Sequence, residues 1–157
     1  MTRLNWEVRI AESEGKTDDP AVRNRIDSDV GALVRYMLFA DEILLHDVVQ
    51  GVSTFTETFP QRGPRDKQGR SLRDFDLRTR LFRYPLSYMV YSEAFDAIPQ
   101  TTREHIYQRI FEVLSAKDHS PEFARLSDDD RSAALAILRD TKPNLPAYWQ
   151  GPASRQP

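Results

Sequence analysis

Apolar residues follow a helical stripe through most of this chain. Val22, Ile26, Val30, Leu33, Val34, Met37 and Leu38 share one face, with Arg23, Arg25, Asp27 and Arg35 on the others. Asp18, Asp19 and Pro20 offer a cap and a first-turn proline, so the pattern predicts a helix over about 20–40. Gly31 inside it costs about 1 kcal/mol against alanine. The opening segment reads two ways: Leu4, Trp6, Val8 and Ile10 alternate like a strand, while Leu4, Val8 and Ala11 fit a helix. With no partner strand elsewhere, the helix is preferred. Thr101 or Thr102 is placed to cap a helix carrying Ile106, Ile110, Val113 and Leu114. Ser120-Pro121 begins a short turn. Ser127, followed by Asp128, Asp129 and Asp130, marks a further helix start whose acids suit the positive end of the dipole. Ala134, Leu135 and Leu138 are its core face, and Lys142-Pro143 stops it.

The middle of the chain is less regular. A short helix is expected at 53–59, then a loop over 60–71 with two prolines and two glycines among charges. Ser71 and Asp74 have capping-box spacing and predict a helix that Tyr84-Pro85 ends or kinks. Tyr84, Tyr88, Tyr91 and Phe95 would form one stripe on a helix over about 85–98, with Leu86, Met89 and Val90 on adjacent faces. Such a segment is apolar nearly all round, the mark of a central, buried helix. The predicted architecture is all-α: one domain over 1–150, an irregular bundle of five or six helices around that aromatic-rich helix, with a flexible tail over 151–157. Leu145, Tyr148 and Trp149 are expected to lie on the body.

Length and composition agree with one core: 157 residues, 39% hydrophobic and 29% charged. No apolar run approaches the roughly 20 residues of a membrane helix, and the first fifteen residues lack the apolar stretch of a secretory signal. With no cysteine, the chain can form neither disulfide nor thiolate site. Charge is uneven. Segment 62–83 holds eight bases (Arg62, Arg65, Lys67, Arg70, Arg73, Arg78, Arg80, Arg83) against three acids, in a chain whose net charge is −2.

That basic island is the main candidate for chemistry. The loop GPRDKQGRS (63–71) resembles a phosphate loop, but its spacing is one residue too long, arginine replaces the lysine and no strand precedes it. An anion site is the better expectation: N–H groups at the helix start together with Arg70, Arg73, Arg78, Arg80 and Tyr84 would favour phosphate or carboxylate. The preferred reading over either is that these arginines pair with acids of the same protein, worth about 0–1 kcal/mol per exposed pair, since arginine-rich loops are commonly just solvated. Nucleic acid is a poor fit, because the aromatics stand at core spacing and the remainder of the chain would repel phosphate. Glu42 and His46, with Asp41 or Asp47, could hold a metal on a continuing helix; the plainer reading ends the helix there with Ile43, Leu44 and Leu45 in the core. No nucleophile elbow, metalloprotease motif or cofactor fingerprint is present.

The stretch GRSLRDFDLRTRLFRYPLSYMVYSEAFDAIP, flanked by MTRLNWEVRIA, YMLFADEILL and KPNLPAYW, resembles the C-terminal helical region of larger uncharacterised bacterial proteins. The resemblance spans nearly the whole chain and implies that further sequence precedes Met1. It also implies a periplasmic site. Relatives carry a cysteine where this chain has Leu86, so no essential thiol is expected there. No activity comes with the family. The sequence therefore favours a non-catalytic packing or interaction module, with no cofactor. Its partner would be the N-terminal remainder of its own protein or another subunit. Trp6 and Trp149, large aromatics that an isolated domain would struggle to cover, point the same way. The alternative is an anion- or small-ligand-binding domain, catalytic or not, with a pocket between segments 62–83 and 84–95.

Overall fold

In the computed structural model, which describes residues 1–150, six α-helices and three 3-10 turns carry the chain, and no β-strand forms among the described residues. The tail expected at 151–157 lies outside the described residues. The bundle is all-α and irregular, as the periodicity predicts.

Helices α1 (Thr2–Ser13), α2 (Pro20–Met37), α5 (Gln100–Leu114) and α6 (Asp128–Thr141) make one layer. α2 packs against α1 and α5, and α6 packs against α5. Capping chemistry starts two of them as the sequence suggests. The Asp19 carboxylate accepts the Ala21 N–H at 2.8 Å, and the Ser127 hydroxyl accepts the Asp130 N–H at 3.1 Å. α5 differs: it begins at Gln100 after Pro99, without a side-chain cap, and Thr102 is buried instead. Its Ile106, Ile110 and Val113 are fully enclosed. Burial of each such side chain is worth about 1.5–3 kcal/mol. α5, touching both neighbours, is the hub.

The expected aromatic hub helix over 85–98 does not form. The short helix expected at 53–59 forms as α3 (Phe55–Gln61), but farther on the chain makes a 3-10 turn at Tyr88–Tyr91 and a four-residue α4 (Glu93–Asp96), with Ser92 extended between them. Two serines explain the break. Ser87 accepts the Met89 N–H at 3.3 Å and Ser92 accepts the Phe95 N–H at 3.2 Å, so each side chain substitutes for a helical carbonyl. The stripe splits accordingly: Tyr84 and Phe95 are buried, whereas Tyr88 and Tyr91 are half-buried.

No helix starts at Ser71 either. The capping contact exists, with the Asp74 carboxylate accepting the Ser71 N–H at 2.9 Å, but the chain then doubles back. Phe75 and Phe82 pair as a lone antiparallel bridge, with rings stacked 5.4 Å apart. Leu77 at φ 61 and Asp76, whose carboxylate accepts the Arg78 N–H and the Thr79 hydroxyl, make the turn between them.

At the end of the described chain, the 3-10 turn Ala147–Gln150 seats Trp149 wholly inside, 5.3 Å from the Phe111 ring and 6.1 Å from Tyr107. Trp149 is therefore not the uncovered aromatic expected from sequence; Trp6, 65% exposed, is.

Candidate functional site

Segment 62–83 wraps over the helical layer without regular structure, and its eight bases divide into two sets. Four have acids. Arg65 meets Asp74 at 3.0 Å, Lys67 meets Asp140 at 3.2 Å, Arg70 meets Asp66 at 2.7 Å, and Arg80 meets Asp130. Arg62, Arg73, Arg78 and Arg83 have no ion pair among the described residues.

The loop that resembles a phosphate cradle is filled from within. Asp66, buried, accepts the N–H groups of Gln68 at 3.0 Å and Arg70 at 2.8 Å, while its other oxygen takes the Arg70 Nε–H. Burial alone would raise this carboxyl, but the Arg70 and Gln68 N–H groups and the Arg70 guanidinium outweigh it and hold it below its ordinary value. A carboxylate of the same chain thus sits where a bound anion would.

Of the five candidate residues, Arg78, Arg80 and Tyr84 border one open depression of roughly 530 Å³, together with Arg83 and with Asp76, Asp129 and Asp130. Arg70 and Arg73 are not part of it. Three arginines face three aspartates, so the depression offers no net positive charge. Arg80 is committed to Asp130 and to the Arg83 carbonyl. Burial pushes the Tyr84 hydroxyl above its usual value, which makes it a donor rather than a base.

Glu42 and His46 do not share a helical face, because α2 ends at Met37 and Phe39 turns left-handed at φ 53. No group of metal-ligating side chains forms among the described residues. The Glu42 carboxylate instead accepts the Leu81 N–H at 3.0 Å and its carbonyl takes Arg125. Ile43 and Leu44, expected in the core, are 81% and 57% exposed. The chain leaves the body after Phe39, and segment 43–55 carries six exposed large apolar side chains: Ile43, Leu44, Val48, Val49, Val52 and Phe55. Two backbone bonds hold this ribbon, Leu45 N–H to the Thr79 carbonyl and Val49 N–H to that of Leu77, each 2.9 Å.

Beneath the ribbon, Phe39, Phe59, Phe75, Phe82 and Tyr88 form a connected aromatic cluster, with neighbouring centroids 5.2–6.3 Å apart. Phe55 extends it to the surface, 5.0 Å from Phe59. The Arg73 guanidinium sits in the corner where Phe59 and Tyr88 meet edge to face, 4.9 Å and 4.6 Å from their centroids.

Arg131 escapes sequence reasoning altogether. It is buried, and its guanidinium donates to the carbonyls of Leu126 (3.1 Å), Phe123 (2.8 Å) and Val113. It closes the C-terminal end of α5, where a cation suits the dipole. In the sequence it looks like any arginine on a helix; only its neighbours Ala134 and Leu138, one turn and two turns on along the buried face, could have marked it.

No protein-family model, curated protein or solved structure matches this chain. No helix among the described residues is long and apolar enough to cross a membrane.

Proposed function

We propose that this chain is a non-catalytic interaction module, and that the ribbon at 43–55 is the surface it presents to a protein partner. The partner is another subunit or further sequence of the same protein. One observation carries the reading: six large apolar side chains are exposed along thirteen residues, on a segment anchored to the body at 77–79 and not frayed from it. Val52, with no contact cover at all, could be a small polar residue at no cost to the fold. The arginine-lined depression holds three arginines and three aspartates, so it carries no net positive charge for a substrate anion.

Photo-crosslinking in cells tests this. Crosslinkers at Val48 and Val52 are expected to trap one discrete protein species, while the same group at Glu12 or Ser132, on the helical layer, traps none. Equal labelling at all four positions, or none at any, would overturn the reading. Purified wild-type protein should also bind a hydrophobic dye, and the Ile43→Ser/Leu44→Ser/Val52→Ser variant should lose most of that signal without losing its fold.

A further inference from the structure

Where α2 ends, the chain turns through a Schellman motif. The Ala40 N–H donates to the Arg35 carbonyl at 3.0 Å and the Phe39 N–H to the Tyr36 carbonyl at 3.3 Å. The left-handed position of such a motif belongs by preference to glycine, and here Phe39 occupies it at φ 53. Strained backbone of this kind collects at ligand clamps and switch regions. The Phe39 ring is fixed by stacking on Phe82, 5.6 Å between centroids. Tyr36, one helical turn earlier, stands 82% exposed. Together Tyr36 and Phe39 wall a small open depression of about 230 Å³, whose remaining lining is Arg35, Asp41 and Glu42.

Charge selects among ligands for it. Arg35 is already spent: its guanidinium bonds both Asp41 carboxylate oxygens, at 2.8 and 2.9 Å, and lies 3.5 Å from Glu122. Glu42 is not spent. One of its carboxylate oxygens accepts the Leu81 N–H at 3.0 Å, which orients the group, while Arg125 bonds its backbone carbonyl. No cation pairs with the Glu42 carboxylate among the described residues. The lining therefore carries one net negative charge, at the C-terminal end of a helix whose dipole also favours a cation. An anion would be repelled, and a neutral apolar ligand would strip water from Glu42 without replacing it. A hard metal ion wants six or more oxygen ligands, and two of these five walls are rings.

We propose that this depression binds an organic cation, an ammonium group carried on an alkyl chain or bearing methyl groups. The Tyr36 and Phe39 rings attract the positive charge and cover its apolar substituents, and Glu42 supplies the counter-charge. The volume lies below the roughly 300–1,000 Å³ of pockets for drug-sized ligands, so it suits a cationic head group rather than a whole metabolite. The head group can arrive on a free amine or on the lysine side chain of a protein segment; the recognition chemistry is the same. The site stands independently of the ribbon, and neither proposal needs the other.

Titration of the purified full chain, followed at the Tyr36 ring protons and the ligand methyl protons, tests this. The probes are tetramethylammonium chloride, n-butylammonium chloride and the neutral tert-butanol, with sodium chloride holding ionic strength constant. Tetramethylammonium should shift the Tyr36 ring saturably, in the millimolar range expected of a small cation on two rings, and tert-butanol should not. Glu42→Gln keeps an acceptor for the Leu81 N–H but removes the charge, and should weaken tetramethylammonium about fivefold or more. Tyr36→Ala, at an exposed position, should weaken it by about the same factor, and Tyr36→Phe should retain it. A short peptide with one internal lysine that binds more tightly than n-butylammonium would assign the cation to a protein source; n-butylammonium binding at least as tightly would assign it to a free amine. A linear, non-saturating response of the wild type to tetramethylammonium would overturn the proposal. So would equal binding of tert-butanol, or undiminished binding by either Glu42→Gln or Tyr36→Ala. The wild-type titrations decide the matter even if a variant does not fold.

Discussion

The helical layer and the irregular layer over it, 38–99, use different means to the same end. In the first, aliphatic side chains at helical spacing meet across α2, α5 and α6, and the backbone bonds itself. In the second, short side chains bond the backbone and aromatic rings stack: Asp66, Ser87 and Ser92 each take N–H groups that a helix would have used. Periodic burial gives stability per residue. Rings and caps instead give a fixed surface with large side chains left outside. Both layers contribute to one core, the second through Leu72, Leu86, Val90, Phe95 and Ile98, but only the second leaves a run of large apolar side chains outside.

That contrast predicts an order of mutational cost. Trp149→Ala removes the largest fully buried side chain, which plugs α5, and should cost about 3–5 kcal/mol in a denaturant melt. Arg131→Ala should cost about 3 kcal/mol, because three hydrogen bonds from a charged group are lost: the Phe123 and Val113 carbonyls keep the Leu126 and Ala116 N–H groups, while the Leu126 carbonyl loses its Arg131 donor at about 1–3 kcal/mol. Phe82→Ala, in the irregular layer, loses stacking with Phe39 and Phe75 at about 0.5–1.5 kcal/mol per pair and should cost less than either. A Phe82 loss equal to that of Trp149 would erase the distinction between the layers.

Acid sharpens the comparison further. The depressed Asp66 carboxyl contributes stability that is fully present above its unfolded value near pH 4 and is lost as pH falls through the lower folded value. The amides of Gln68 and Arg70 should therefore lose hydrogen-exchange protection below about pH 4, before those of α5 do. Asp66→Asn should flatten that dependence. The smallest effect expected is a gain. Ala116, just past the end of α5, is left-handed at φ 55, and Ala116→Gly should give a small net gain, read as a raised melting midpoint: relief of strain worth about 1–2 kcal/mol outweighs the about 0.4–1 kcal/mol that glycine adds to unfolded-state entropy.

The helical layer was legible because its signals are local and repeated. Asp19-Pro20 and Ser127 fix helix starts, and the stripes of α2 and α5 need only spacing to be seen. Tyr84, Tyr88, Tyr91 and Phe95 also have that spacing, but intervening Ser87 and Ser92 bond the backbone and break the helix that would align them. The alternation from Phe75 to Phe82, with Asp76 and Thr79 at its turn, was the readable sign of a doubled-back loop; Ser71 and Asp74 at capping-box spacing masked it. For the site, the island of bases was visible, but its division was not. Asp130 and Asp140, which take Arg80 and Lys67, lie some 50 and 73 residues away in sequence, and spacing carries no information over such distances.

The ribbon at 43–55 also governs how the protein behaves in solution by itself. Exposed apolar surface becomes more costly as salts such as sulfate are excluded from it, so this segment sets the point at which molecules begin to adhere to one another. With a net charge of only −2, long-range repulsion does little to keep them apart. Second virial coefficients from light scattering should turn attractive with added ammonium sulfate at lower concentrations for the wild type than for a ribbon carrying serines. The expected limit on the working concentration of the isolated protein is thus set by thirteen residues on its surface.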